Sequence, residues 1–331
     1  MFLNNGVELL QGAERLNILG HTRFSIYDPK SASWRLSRST GHENEQRYID
    51  DLYAPSRMNQ RLDIFLNHTL PTLDLSKGHD NFFHVVSYSE ELPDRYKHRL
   101  YAAAQQYDWL RLDLRTRANR RGKPLDDFAA ELFERCSVYA EFRLDDDDIL
   151  STEYFSLLRP HVNEHNAGKF VSPSYGIQAF YESGHYREAR LEHRPMIALG
   201  LARICTISND GTVRGPRKGA HTRTDLGAPV IVDGRKIAFL HTMHLAQDSG
   251  VDKPDDDLGR RFRNYLNQPK PEGVDISALF PSVCWSESFN DIDKTKLLFK
   301  SHGNRDSLSA LLVSLAKRLR HKITALVAAP R

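Results

Sequence analysis

The first 150 residues alternate between short apolar runs and helical patterns, and this alternation limits the folds that the chain can adopt. Strands are predicted where β-branched and aromatic residues cluster, and helices where prolines precede amphipathic stretches. The resulting order, strand and helix in turn up to a fourth strand, is typical of a parallel sheet with crossover helices. The predicted strands are 16–27, 82–88, 109–114 and 138–144, and the predicted helices are 57–69, 93–107 and 124–135.

The second half of the chain has a mixed pattern with shorter β-like runs. The last two of these runs flank the Asp233-Gly234 turn, so we expect them to pair as a hairpin. The predicted elements are a helix over 151–165 and strands near Phe170 and over 203–207, 230–232 and 237–240.

No linker rich in proline, glycine or serine separates the two halves, which predicts one continuous body. From residue 305 onward an amphipathic helical pattern carries several basic side chains. We therefore expect three parts: an α/β half over 1–150, a mixed half of the same domain over 151–300, and a C-terminal amphipathic helix over 301–331.

Charge and cysteine content exclude several classes of protein. The 46 basic and 43 acidic residues give a net charge of +3, so bulk charge predicts no nucleic-acid partner. No stretch approaches the roughly 20 apolar residues that a spanning helix needs. Three widely spaced cysteines, Cys136, Cys205 and Cys284, support neither a disulfide framework nor a zinc site, which favours a reducing, cytoplasmic location.

Four successive carboxylates, Asp145 to Asp148, follow directly on the fourth predicted strand. Open α/β folds bind ligands at this edge of the sheet. Carboxylates this close raise each other's pKa unless a cation neutralises them, and Mg²⁺ or Mn²⁺ takes one or two carboxylates together with diphosphate oxygens. Alternate residues point the same way in an extended turn, so Asp145 and Asp147 are predicted to share one ion. The alternative is a solvated acidic turn that caps the next helix.

Three segments in this order resemble the GT-A class of nucleotide-sugar glycosyltransferases and, more closely, the bacterial rhamnosyl transferase family. They are 22–25 after the first strand, 92–93 after the second, and 143–148, and the resemblance extends over about 16–250. It implies a GT-A-like, Rossmann-like, mostly parallel sheet flanked by helices. It also implies a nucleoside-diphosphate sugar donor and a divalent metal, with the donor in the first half and the acceptor in the second.

The resemblance also implies roles for particular residues. Thr22 and Arg23 would lie beside the nucleotide, and Arg143 would pair with the diphosphate or, alternatively, form an internal salt bridge with the Asp run. The implied donor-binding residues are Thr22, Arg23, Arg143, Asp145 and Asp146. The implied metal ligands are Asp145, Asp147 and His244.

His244 is chosen because, in GT-A enzymes, a histidine late in the chain often completes the coordination of the metal. His241 is the second choice, and because residues three apart on a strand face opposite sides, we expect only one of the two to bind the ion. A buried, hydrogen-bonded histidine is the alternative. Gln247-Asp248 stands where the closer relatives carry asparagine, which leaves the role of that turn open.

The remaining polar segments supply candidates for catalysis and for a partner. Asp225 or His221 could deprotonate an acceptor hydroxyl, although a plain loop is the alternative. The basic stretches 115–123 and 317–322 could hold a diphosphate-linked acceptor or anionic lipid headgroups, or form solvated faces.

Together these features predict a metal-dependent (Mn²⁺ or Mg²⁺) glycosyltransferase that acts on a saccharide or glycolipid acceptor in bacterial surface polysaccharide synthesis. We expect it in the cytoplasm, with peripheral contact at the inner membrane face through the C-terminal helix. The alternatives are a metal-dependent phosphoester hydrolase and a non-catalytic carbohydrate-binding protein.

Overall fold

The computed structural model describes residues 15–29, 45–244 and 264–286. The predicted C-terminal helix over 301–331, with its basic side chains, and the Gln247-Asp248 turn lie outside the described residues. The described strands, in chain order, are β1 (Asn17–Arg23), β2 (Asn81–Ser89), β3 (Leu110–Arg115), β4 (Ser137–Leu144), β5 (Ile149–Leu150), β6 (Phe170–Pro173), β7 (Tyr175–Glu182), β8 (His185–His193), β9 (Ala202–Ile207), β10 (Val213–Arg214), β11 (Val230–Asp233) and β12 (Phe239–Met243). The described α-helices are α1 (Glu45–Leu52), α2 (Pro55–Asp63), α3 (Leu70–Ser76), α4 (Asp94–Gln106), α5 (Leu125–Leu132), α6 (Tyr154–Leu158) and α7 (Ile276–Leu279).

The larger sheet has the strand order β11-β6-β9-β4-β1-β2-β3, with β10 paired to β9. β1 lies parallel to both β2 and β4, and β2 lies parallel to β3. β9 joins β4 and β6 in antiparallel fashion, and β11 lies parallel to β6 at the edge. The predicted α/β fold class, with a mostly parallel sheet flanked by helices, is therefore confirmed.

A second sheet has the order β5-β12-β7-β8. The hairpin predicted between 230–232 and 237–240 is wrong, because β11 belongs to the larger sheet and β12 lies between β5 and β7 in the second sheet. Phe239 and Leu240 are completely buried. A surface hairpin would leave one of these side chains in water, so burial on both faces of a second sheet is favoured.

Two predicted helices have different bounds in the structure. The helix expected over 151–165 ends at Leu158 and is followed by short 3₁₀ turns, because Pro160 has no amide hydrogen with which to continue an α-helix. The helix expected over 57–69 begins at α2, passes through a π-helical segment and ends with α3 at Ser76.

The two faces of the larger sheet are covered by different helices, as the crossover pattern predicts. Ile18 packs in the apolar cluster that includes residues of α2, α3 and α4, while Leu19 packs in the cluster that includes Ala129 of α5. Because side chains alternate along a strand, His21 and Arg23 lie on the same face as Leu19. The α5 face therefore changes from apolar to charged toward the carboxyl end of β1.

The acidic segment connects the two sheets. β4 ends at Leu144 in the larger sheet, and Ile149 begins β5 in the second one. Residues 145–148, here called the Asp turn, consequently contact both sheets. Within the three ranges that the structure describes, no helix is long and apolar enough to cross a membrane.

Candidate active site

Asp145 opens the Asp turn and pairs with Arg143. Its Oδ1 accepts hydrogen bonds from Arg143 Nε at 3.0 Å and Nη2 at 2.7 Å. Both side chains are more than a third exposed, at 38% for Arg143 and 37% for Asp145. The internal salt bridge that the sequence left open for Arg143 is therefore present, and both groups remain accessible to a ligand.

Asp146 is buried and ties the turn to the segment that follows β1. Its Oδ2 accepts hydrogen bonds from the backbone amide and the hydroxyl of Ser25, each at 2.9 Å. Its Oδ1 pairs with Arg61 of α2. Burial raises the pKa of the Asp146 carboxyl, while Arg61 acts in the opposite direction. These contacts give the carboxylate a structural function, and the predicted donor-binding role of Asp146 stays a prediction.

Asp147 meets a cation and a histidine at the same oxygen. Arg61 Nη2 lies 2.9 Å from Asp147 Oδ2, and His244 Nε2 lies 3.2 Å from it. Burial raises the pKa of the Asp147 carboxyl, but Arg61 and the hydrogen bond from His244 outweigh it and hold the pKa well below its usual range. Asp147 is therefore ionised, as a metal ligand must be.

Asp148 anchors the turn to the second sheet. Its Oδ1 accepts a hydrogen bond from the backbone amide of Thr242 in β12 at 2.9 Å. Burial, together with the neighbouring carboxylates Asp147 and Asp145, raises the pKa of Asp148 well above its usual value. The turn is thus held between Arg143 on one side and β12 on the other.

The four carboxylates do not converge on one point. In the described part of the chain, no group of three His, Cys, Asp or Glu side chains is arranged as a complete metal site. Asp147 and His244 are brought together, whereas Asp145 pairs with Arg143. His241 has other partners, since its Nδ1 lies 3.0 Å from Glu192 Oε2.

A cavity of about 350 Å³ opens on the α5 face beside Arg143. Seven of the side chains that line it are cationic, whereas Glu141 is the one carboxylate in the lining. The cationic side chains are Arg23, Arg115, Arg121, Lys123, Arg143, Arg203 and Lys218. We call this the basic cavity.

Like charges are crowded in the basic cavity. Burial and the nearby Arg143 lower the pKa of Arg23 to about 10. Burial, followed by Arg115 and Arg23, lowers the pKa of His21 well below its usual value. Deeper in the cavity, Arg203 Nη2 pairs with Glu141 at 2.7 Å. Guanidinium groups held this close favour an anionic ligand, and phosphate oxygens match their hydrogen-bonding geometry.

The other predicted residues lie at different places. Thr22 is buried, and its hydroxyl bonds His84 Nε2 at 2.9 Å rather than lining the cavity. His221 lines the cavity and has its Nδ1 2.8 Å from the carbonyl of Met196. Asp225 is exposed and does not line the cavity.

Sequence reasoning missed several site residues. Arg61 and Arg57 are buried, four residues apart on α2, and Arg57 Nη1 donates to the Ser25 hydroxyl at 3.0 Å. The helix sequence could have indicated them, because the two arginines are spaced to lie on the same face as Met58 and Leu62. A buried cation needs an acidic partner, so this pattern predicts a contact with carboxylates. The signals for Arg203 and Lys218 were weaker, since both lie far along the chain from the Asp turn.

Comparison with known proteins identifies relatives at the family level. A family model described as "Putative rhamnosyl transferase" matches residues 17–256. No curated protein sequence matches the chain. Two crystal structures of S. aureus TarS, one of them covering 1–349, are similar at 12% identity and a TM-score of 0.32. The match covers 77% of this chain but 40% and 66% of the TarS chains, so this chain spans less than two thirds of either.

Proposed function

Because the chain belongs to the rhamnosyl transferase family and is a glycosyltransferase, we propose that it moves a sugar from a nucleoside-diphosphate donor to a hydroxyl of a saccharide or glycolipid acceptor, with the help of a divalent cation. The observation that carries this proposal is the basic cavity that adjoins the Asp turn. The two meet at the Arg143–Asp145 pair, which lines the cavity through Arg143 and begins the turn with Asp145.

The cavity suits the diphosphate part of such a donor. Arg23 and Arg143 present guanidinium groups at the carboxyl ends of β1 and β4, where α/β sheets bind ligands. A diphosphate placed there would neutralise charges that otherwise repel each other. As the bond to the sugar breaks, negative charge grows on the diphosphate, and the same arginines stabilise it.

We propose Asp147 and His244 as two ligands of a divalent cation beside this position. Asp147 Oδ2 and His244 Nε2 are 3.2 Å apart, close to the separation of two adjacent ligands whose bonds to one ion are about 2.1 Å long. Asp145 is the third proposed ligand, and donor phosphates would supply the others, as Mg²⁺ sites commonly require.

When bound, the cation would add positive charge at the leaving diphosphate. The side chains of this protein do the remaining work. Arg61 keeps the turn folded by neutralising Asp146 and Asp147, and the backbone amide of Ser25 fixes the Asp146 carboxylate. Polysaccharide synthesis at the cytoplasmic face of a bacterial membrane is the setting we propose, by analogy with the family.

The test is thermal unfolding with a panel of nucleoside diphosphates, with and without Mn²⁺. Ligand at about 100 times its Kd stabilises the folded state by about 2.7 kcal/mol. We expect one nucleotide to raise the Tm of the wild type in a Mn²⁺-dependent manner, and Asp145→Ala/Asp147→Ala to abolish the dependence on Mn²⁺. Arg23→Ala should weaken binding with and without the ion.

The matched control is Arg47→Ala, because the Arg47 side chain is 71% exposed on α1 and does not line the cavity. No shift of the wild type with any nucleotide would contradict the donor proposal. Phosphate release from simple esters without an acceptor would instead favour a phosphoester hydrolase.

A further inference from the structure

A histidine and a glutamate on the second sheet form a pair that the donor site does not use. His241 of β12 has its Nδ1 3.0 Å from Oε2 of Glu192 on β8. Gln178 of β7, the strand between them, approaches the same Nδ1 at 3.4 Å. The His241 side chain is 16% exposed and that of Glu192 is 7% exposed. The carboxylate is therefore covered, while part of the imidazole reaches the surface.

The state of Glu192 decides the tautomer of His241. Burial raises the pKa of the Glu192 carboxyl, but the hydrogen bond from His241 and the nearby Arg194 outweigh it and lower the pKa overall. Among the described residues, the Asp148 carboxyl also lies close enough to Glu192 for the two groups to interact. An ionised carboxylate only accepts hydrogen bonds, so Nδ1–H of His241 donates to it. Nε2 of the neutral imidazole then carries the lone pair and can accept a proton.

The position of β12 relative to the Asp turn gives the pair a function. Thr242, the residue after His241, bonds the side chain of Asp148, while Asp145 at the other end of the turn bonds Arg143 in the cavity wall. A sugar attached to a diphosphate in the cavity would therefore reach the turn, which β12 borders at its other end. In an inverting displacement the nucleophile attacks on the face opposite the leaving group. With the proposed diphosphate in the cavity, the leaving group would lie on the cavity side, whereas β12 borders the turn at its Asp148 end.

We propose that His241, oriented by Glu192, is the general base of an inverting transfer; this inference rests on the proposed function. Nε2 takes the proton of the acceptor hydroxyl as the oxygen bonds to the anomeric carbon. The bond from that carbon to the diphosphate oxygen breaks, and its electron pair leaves with the nucleoside diphosphate. His221 is not placed for this step, because it lines the cavity on the leaving-group side.

The experiment compares three single variants with the wild type, His241→Asn, Glu192→Gln and the control His193→Ala. His193 is an exposed histidine next to Glu192 and has no part in the pair. Nucleotide binding, measured by thermal shift, should be unchanged in all three. Transfer by His241→Asn should fall by about 10²–10⁴-fold, the usual contribution of a general base, and its acidic limb in the pH–rate profile should disappear.

Glu192→Gln should lower kcat and leave KM unchanged, since a side-chain amide can also donate and no longer fixes the lone pair of the imidazole on Nε2. A merely structural role of Glu192 would instead lower Tm and nucleotide binding together with activity. The product should have the anomeric configuration opposite to that of the donor, as read by NMR. Retained configuration, or His241→Asn with wild-type turnover and an unchanged acidic limb, would overturn the assignment. Absence of nucleotide binding by the wild type would overturn the proposed function itself, so the two failures are distinguishable.

Discussion

Arg61 is predicted to be the residue on which the stability of the Asp turn most depends. Its side chain is 6% exposed and contacts two carboxylates, Asp146 at 3% and Asp147 at 13% exposure. Arg61→Met removes the guanidinium and keeps most of the aliphatic packing, so the change isolates the charge. Two buried carboxylates would then lose the cation that they share.

The expected cost follows from the burial of this group. Breaking a buried ion pair by removing one partner costs about 3–5 kcal/mol, because the remaining charge is left unpaired. For a chain of 331 residues, an unfolding entropy of about 2.1 cal/mol/K per residue converts this loss into a fall in Tm of about 4–7 °C. An exposed ion pair contributes only about 0–1 kcal/mol. Arg47→Met is therefore the control, because the Arg47 side chain, which pairs with Asp51, is 71% exposed. This change should alter Tm by about 2 °C or less.

The dependence on pH provides a second measurement. In the wild type the pKa of Asp147 is held low, so its contribution to stability is present at neutral pH and is lost as the pH falls. Without Arg61, burial should raise the pKa values of both carboxyls above those of the unfolded chain. As the pH falls, the folded variant then takes up protons before the unfolded chain does. The stability of the variant relative to that of the wild type therefore increases as the pH falls from 8 to 5.

Thermal unfolding of both proteins over this pH range tests the argument. Arg61→Met/Asp146→Asn/Asp147→Asn should recover most of the lost stability at pH 8, since it removes the two carboxylates together with the guanidinium that neutralises them. A loss in Arg61→Met equal to that of Arg47→Met, or a loss that does not depend on pH, would refute the reasoning.

Further predictions concern the sheet beneath the site. Gly20→Ala should lower the free energy of unfolding by about 1–3 kcal/mol through overpacking, because the new Cβ would overlap the buried His84 ring. Thr22→Val should cost about 1–3 kcal/mol by removing the partner of His84 Nε2. Denaturant titration measures both, and unchanged midpoints would contradict them. Asp233→Asn should destabilise the protein at neutral pH and progressively less as the pH falls below the usual pKa of an aspartate, because hydrogen bonds from Arg235 hold the pKa of Asp233 low and that contribution is lost as the pH falls toward this lowered pKa. A loss that stays the same over this pH range would argue against this role.

Most of the first half of the fold could be predicted because its signals are local. Apolar alternation and the position of prolines identify the first four strands and their crossover helices, and parallel pairing follows from that order. The location of the Asp turn after β4 follows in the same way. The bounds of the strands were less predictable. The first strand was predicted to extend to residue 27, but β1 ends at Arg23, and Ser25 has a left-handed φ of +43° that a strand does not adopt.

Other features, namely strand pairing in the second sheet and the partners of buried charges, were decided only by the tertiary structure, because they depend on contacts between distant segments. The pairing of β12 in a second sheet, rather than in a hairpin with β11, is set by burial on both faces and not by the turn between them. Arg61 reaches Asp146 across 85 positions, and Glu192 reaches His241 across 49. A run of carboxylates shows in the sequence that negative charge is concentrated at one sheet edge. Which cation or histidine meets each carboxylate depends on how the helices and the second sheet pack around that edge, and no local pattern records this.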